Sequence, residues 1–392
     1  MTGKPRHGPS LGRLWTDERV RGAIFQFLTV LGLIAFVWFL VANTSDNMAQ
    51  IGMKAGFGFL GDQAFFDINQ KLIDYTSTDT YGRALMVGLL NTLLVSVLGI
   101  VAATLLGFLM GVLRLSHNWL VARLATVYVE TIRNIPLLLQ VVFWWTLLTE
   151  LPRVQESKSI AGLVFLNNRG VRMPAPVMEP GMGIVVVAFL AGIVAAFFVT
   201  RWATRRRMET GQPFPSIWVN LGLVVGAPVA LFLLLGQPLH WDVPVLGTFN
   251  FSGGFRVTPE LVALWWALTV YTGAFIAETV RGGILAVSKG QTEAAQALGL
   301  SRGATMRKIV LPQALRVIVP PLTSQYLNLT KNSSLAVAIG YQDLVSVGGT
   351  ILNQSGHSIE IVGIWLAVYL SLSVGTSAFM NWYNHRVRLV ER

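Results

Sequence analysis

The sequence predicts an all-α integral membrane protein with about eight transmembrane helices. Three observations carry this. Hydrophobic residues fill 53% of the 392 positions and charged residues only 12%, about half the ~25% usual in soluble domains. The apolar residues collect in long runs, and a spanning helix needs about 20 of them. The Lys and Arg residues fall mainly on one side of those runs, as the positive-inside rule requires.

Taken in order, the runs are 24–42, 84–113, 120–149, 183–200, 217–236, 260–287, 317–340 and 361–380. Residues 1–21 are polar and basic, and the run after them is too long for a signal-peptide core, so it reads as a signal anchor. The third, sixth and seventh runs carry charged groups and rest less on hydropathy alone. With both termini inside and strict alternation, 20 of the 30 Lys and Arg lie in inner segments, against five of the 19 Asp and Glu. Dropping one helix would put either Arg205-Arg206-Arg207 or the basic stretch 281–316 outside.

The links between runs differ in character. Segment 43–83 contains Phe57-Gly58-Phe59-Leu60 and Phe65-Phe66, which predict a short interfacial helix. Links 151–182 and 237–259 are rich in Pro, Gly and Asn and are expected to be irregular. Gly282-Gly283 and Gly348-Gly349 read as close helix contacts or turns.

Several chemistries are excluded. There is no cysteine, so no disulfide framework and no thiol nucleophile. The five histidines have no ligand-type spacing. No G-x-x-x-x-G-K-[ST], G-x-S-x-G or H-E-x-x-H is present, so this chain itself neither binds ATP in a phosphate loop nor hydrolyses by those routes. The formal charge of +11 follows from membrane topology and does not indicate a nucleic-acid partner.

Stretch 291–312 organises the chain. Ala294, Ala295, Ala297 and Leu298 favour a helix, and Gly299 can end it in a left-handed conformation. Arg302 to Leu311 predicts a second short helix with Met306, Ile309 and Val310 on one face, broken or kinked at Pro312. An amphipathic loop lying on lipid headgroups would look much the same. The spacing is more particular: Glu293-Ala294-Ala295, then Gly299, Ile309 and Leu311-Pro312. It resembles the coupling loop of bacterial ABC importer permeases. That resemblance implies that Glu293, Ala294, Ala295, Gly299, Ile309, Leu311 and Pro312 form a cytoplasmic element docking on an ATPase subunit.

Three helices carry polar groups that lipid does not tolerate cheaply. In the third, Glu130 and Arg133 lie on one face and can pair, and Pro136 marks a kink or break. In the sixth, Glu278 and Arg281 can pair in the same way. In the seventh, Ser324, Gln325, Asn328 and Lys331 form one polar stripe, fit either for contact with a sister subunit or for the wall of a path. Arg133-Asn134-Ile135-Pro136-Leu137-Leu138-Leu139-Gln140 resembles the first membrane subunit of general L-amino acid importers. It lacks the Gly and Thr of the wider family's Arg-Gly-Thr-Pro. Stretches 271–284 and 331–335 resemble the polar amino acid subfamily of permeases.

These resemblances imply a five-helix permease core within residues 84–392, with helices inserted at about 183–236 and a coupling loop at about 288–320. Residues 1–83 would be a basic tail, one extra helix and a periplasmic segment. They also imply a second homologous permease subunit, two ATPase subunits carrying ATP and Mg, and a periplasmic amino-acid-binding protein, all in the inner membrane or beside it. This chain would bind no cofactor. A substrate path along Glu278, Ser324, Gln325, Asn328 and Lys331, with Glu130 and Arg133, would give a zwitterion an acceptor for its ammonium and donors for its carboxylate. Relatives of basic amino acid specificity tend to have a carboxylate at the position of Gln325, so a neutral side chain there fits broad selectivity. A permease for one polar amino acid and a passive channel are the alternatives; the channel leaves the coupling loop unexplained.

Overall fold

The computed structural model describes residues 18–50 and 56–387. The basic tail 1–17, part of the outer segment at 51–55, and residues 388–392 lie outside the described residues. Among the described residues, six helices are long and apolar enough to cross a membrane, and two bent helix pairs bring the number to eight. The eight expected runs correspond to these elements.

Helix α1 (Glu18–Gln50) exposes its apolar side chains all round, Phe25, Phe36 and Trp38 among them, as a helix surrounded by lipid would. Segment 56–80 corrects the expectation of an interfacial helix. It forms only a 3₁₀ turn, Phe57–Gly61, and an extended run that lies over the start of the next helix. Phe59 is buried and stacks on His357 with ring centroids 4.3 Å apart. Asn91 donates to the carbonyls of Gln70 (2.7 Å) and Gln342 (2.9 Å), so this cover is stitched to two distant parts of the chain. Burial beside Asp67 and Asp79 pushes the Tyr75 hydroxyl up to about 12, and it donates to the Phe66 carbonyl at 2.9 Å.

Helix α2 (Tyr81–Leu113) is capped by the Thr80 hydroxyl. Helices α3 (Trp119–Asn134) and α4 (Leu137–Thr149) form the first bent pair, at 105°. The break falls at Pro136, as the missing N–H dictates. Helices α5 (Met182–Thr210) and α6 (Ser216–Leu234) form a hairpin whose second arm contains a π-helical turn, Gly222–Gly226.

The two links flanking that hairpin are not irregular. They contain eight short strands: β1 (Lys158–Ile160), β2 (Val164–Asn167), β3 (Gly170–Met173), β4 (Ala175–Met178), β5 (Leu239–Asp242), β6 (Val245–Leu246), β7 (Phe251–Ser252) and β8 (Phe255–Val257). The order β1-β2-β3-β8 makes one antiparallel sheet, with β4-β5 and β6-β7 as separate pairs. Strands from both links interleave, so α5 and α6 end in one folded cap.

Helix α7 (Pro259–Leu285) is the most enclosed element. Sixteen of its residues are buried, from Pro259 to Ile284. It packs against α2 through small residues. A Cβ on Gly107 would come within 2.5 Å of Ile276 and 2.9 Å of the Gly273 carbonyl, and one on Gly111 within 2.7 Å of the Ala277 carbonyl. Lipid provides no hydrophobic drive for helix association, so close contact of this kind supplies the attraction. The expected close contact at Gly283 is to Ile318, and that at Gly348 is to the Trp365 indole.

After α8 (Lys289–Ala297) the chain enters α9, a continuous rod over Arg302–Ile339. The expected break at Pro312 is absent. A π-helical turn, Met306–Val310, precedes Leu311–Pro312, and the helix runs on to Asn332 before tightening into a 3₁₀ tail, Ser333–Ile339. Widening the turn accommodates a residue that cannot donate to the carbonyl four positions back. Helix α10 (Leu344–Ser355), bent 52° from α9, lies outside the eight apolar runs, and α11 (Ser358–Val387) closes the fold. Asp343 caps α10 by accepting from Ser346 N at 2.8 Å.

Candidate translocation and coupling site

The break between α3 and α4 is held by one side chain. Pro136 leaves the Ile132 carbonyl without its helical donor, and the chain reversal frees that of Ile135. The buried Gln140 amide donates to both, at 3.1 and 3.0 Å. Gln140 was legible only as part of a family resemblance. Its position four residues beyond Pro136 is the signal that could have assigned it this work.

Five charged side chains gather where α2, α3 and α7 end. Arg114 follows the last residue of α2, and its side chain is only 9% exposed. It bonds Glu278 on α7 at 2.5 Å and Glu130 on α3 at 3.1 Å. Glu278 also receives Arg281, at 2.6 and 3.0 Å. The Glu278–Arg281 pairing matches the expectation from spacing. The Glu130–Arg133 pairing does not occur: Glu130 turns to Arg114, and the Arg133 guanidinium lies 5.1 Å from the Phe275 ring centroid. Charge pairing plus a cation–π contact disposes of groups that lipid would reject. Arg114 was missed altogether, because its partners lie 16 and 164 positions away.

The polar stripe of α9 is largely open, although its Lys331 end lines a cavity with Trp365 and Tyr369 of α11. Ser324, Asn328 and Lys331 are exposed and Gln325 is half-buried. The opposite side, including Ile318, Leu322 and Leu329, is buried. Among the described residues, no side-chain hydrogen bond or ion pair ties down these four. No side-chain hydrogen bond or ion pair among the described residues joins them to the Glu278 cluster.

The hairpin of α8 and the start of α9 has the expected geometry at its turn. Gly299 adopts φ 77°, a conformation that costs any residue with a Cβ. Its N–H bonds the Gln296 carbonyl and that of Leu300 bonds Ala295, which satisfies the carbonyls at the end of α8. The Ser301 hydroxyl caps α9 by accepting from Ala304 N at 3.3 Å. Glu293 and Ala294 are exposed while Ala295 is buried. Leu298 is 82% exposed, so an apolar side chain sits at the tip. Ile309 and Leu311 are half-buried and Pro312 is exposed.

A family model, the binding-protein-dependent transport system inner membrane component, matches residues 184–389. The chain belongs to that family. It is an inner-membrane component, and it is similar over nearly its whole length to three curated relatives. It is 54% identical to the general L-amino acid transport system permease protein AapQ of Rhizobium johnstonii, over 99% of this chain and 98% of that one. It is 49% identical to the putative amino-acid ABC transporter permease protein YhdX of Escherichia coli, over 96% and 97%. It is 44% identical to the glutamate/glutamine/aspartate/asparagine transport system permease protein BztB of Rhodobacter capsulatus, over 99% and 98%.

Removing one member of an enclosed charge cluster strands its partner. Glu278→Gln is expected to destabilise the protein by about 1–3 kcal/mol, the cost of leaving an enclosed polar group unsatisfied, because the Glu278 side chain is only 30% exposed. Glu130→Gln should cost under about 1 kcal/mol, because the Glu130 side chain is 52% exposed. Thermal unfolding in detergent reads both, and equal shifts would show that Arg114 does not depend on Glu278.

Proposed function

We propose that this chain is a membrane subunit of an ATP-driven importer for amino acids of broad specificity, building the translocation path and coupling it to ATPase subunits. The observation that carries the reading is the 54% identity, along nearly all of both chains, to a permease protein of a general L-amino acid transport system. The proposed assembly holds a second homologous permease chain, two ATPase subunits with ATP and Mg, and a periplasmic binding protein; this chain hydrolyses nothing. A narrower substrate set, acidic amino acids and their amides, is favoured by the relative at 44% identity. Uptake of labelled amino acids by vesicles holding the complete complex separates the two. Import confined to glutamate, glutamine, aspartate and asparagine selects the narrower set, and no ATP-dependent import of any amino acid sinks both.

In the proposed cycle, closure of the ATPase dimer moves the Glu293–Pro312 hairpin, and alternating access follows. Exposed Glu293, Ala294 and Leu298 make the docking face. Gly299→Val must strain the left-handed turn, and Glu293→Lys reverses a docking charge. Either variant should insert normally, lose uptake by at least about tenfold, and release ATPase subunits on purification. Unimpaired uptake with both would remove the hairpin from the coupling mechanism.

The proposed orientation has both termini and the hairpin in the cytoplasm and the β cap in the periplasm, with α1 and the α5–α6 hairpin as additions to a five-helix core. The chain has no cysteine, so introduced ones report cleanly. A cysteine at Ser252 should react with an impermeant reagent from outside, and cysteines at Thr210 and Ser301 should not. Labelling at Thr210 from outside would overturn the placement of α5 and α6.

For the path, Ser324, Gln325, Asn328 and Lys331 are proposed to face the substrate, with Glu130, Arg133 and Glu278 closing its inner end. The exposure of the α9 stripe supports this. Gln325→Glu adds a negative charge with little change of shape. Uptake should shift severalfold toward arginine and lysine and away from glutamate and aspartate. An unchanged preference in a complex that still transports would show that α9 does not read the substrate.

A further inference from the structure

Where α7 leaves the membrane and the hairpin begins, the chain forms a recess of about 390 Å³. Its lining has two chemistries. Leu285, Met306 and Val310 present hydrocarbon, and His117, Lys289 and Arg302 present basic groups. Leu285 is 59% and Met306 43% exposed, while Val310 is buried. Among the described residues, none of the three basic side chains has an ion-pair partner. The cavity plays no part in the path or the docking face described above.

We propose that this recess binds an anionic phospholipid of the cytoplasmic leaflet, with its phosphate between Lys289 and Arg302 and its acyl chains along Leu285 and Met306. Three features favour a lipid over other anions. The recess opens at the last turn of a membrane span, the depth at which headgroups lie. Basic pockets between helices on the cytoplasmic side attract anionic headgroups. A small soluble anion would leave the exposed leucine and methionine unoccupied, whereas an acyl chain covers them.

The geometry also separates the lipid from the ATPase. On α8, Lys289, Thr292 and Gln296 line the recess, and their spacing puts them on one side of the helix. Ala294, Ala297 and Leu298 are exposed and turn elsewhere. The hairpin thus turns Ala294 and Leu298 away from the recess, while Glu293, one turn from Lys289, sits at the border between the two sides. A bound lipid would seat the hairpin at a fixed depth and make coupling depend on lipid composition.

The proposal rests on the reading of the hairpin as cytoplasmic and coupling, so its test is kept separate from uptake. The complete complex is exchanged into phosphatidylglycerol or phosphatidylcholine, and retained lipid is counted by native mass spectrometry. Wild type should retain phosphatidylglycerol in preference to phosphatidylcholine. The double variant Lys289→Gln, Arg302→Gln should lose that retention by roughly fivefold per cation removed. Lys308→Gln, which removes one charge from the same hairpin outside the recess, should leave it intact. Leu298→Ala, on the side of the hairpin away from the recess, should also keep the lipid even if uptake is lost, so failure of the coupling reading would not mimic failure of this one. Equal retention in the double variant and Lys308→Gln would overturn the proposal. So would displacement of phosphatidylglycerol by millimolar inorganic phosphate, which would mark a free-anion site. Loss of ATPase subunits from the double variant in both lipids, with phosphatidylglycerol retained, would assign the recess to a protein contact.

Discussion

The structure depends on how closely other helices can approach α7. Lipid is as apolar as the helices it surrounds, so contact area and backbone proximity hold the bundle, not exclusion of water. Helix α2 reaches α7 at Gly107 and Gly111, where a side chain on either would collide. Helix α9 reaches it at Gly283, against Ile318. The Tyr128 hydroxyl of α3 donates to the Val270 carbonyl at 2.7 Å. Helix α7 is thus the surface on which the remaining core is assembled. Its C-terminal third holds Glu278, so the same contacts fix where the charge cluster sits.

Much of this bundle was legible because lipid imposes length and polarity on each span separately. Those constraints are local, and local sequence records them. The misses share the opposite property. Strand β3 pairs with β8, which puts Arg172 opposite Arg256, 84 positions further along the chain. Strands of two to four residues leave no periodicity to read, and the Pro and Gly that suggested irregular links mark the turns between them. Helix α10 was missed because its Gly348 and Gly349 lower helix propensity; packing on Trp365 overrides that. At Pro312 the rule that proline ends a helix failed because a π turn offers another solution.

The site divides in the same way. Gly299 and the Ser301 cap belong to a turn of a few residues, and their roles follow from single-residue conformational limits. The charge cluster does not. Spacing found Glu278–Arg281, which lies within one helical turn, and mistook Glu130–Arg133 for a second such pair. The competing partner, Arg114, comes from the end of another helix and engages both carboxylates. A side chain so enclosed gains more from two partners than either glutamate gains from a neighbour on its own helix. Gln140 shows the related limit. Sequence reveals that Pro136 frees carbonyls, but only the fold reveals which donor reaches them.

A mechanical consequence follows from the absence of a break at Pro312. Were the hairpin joined to the bundle by a flexible link, its displacement would dissipate at that link. Instead the rod runs from Arg302, just beyond the Gly299 turn, through the π turn to Ile339. The polar stripe from Ser324 to Lys331 lies on the same rod. The Gln313 amide donates to the Ile309 carbonyl at 3.1 Å, bracing the helix around Pro312. Backbone hydrogen bonds resist bending far more than a loop does, so tilting the hairpin must tilt the stripe. The soft points are Pro320 and Pro321, each lacking a helical donor. They lie between hairpin and stripe, which is where a rigid lever would yield if the two ends had to move by different amounts.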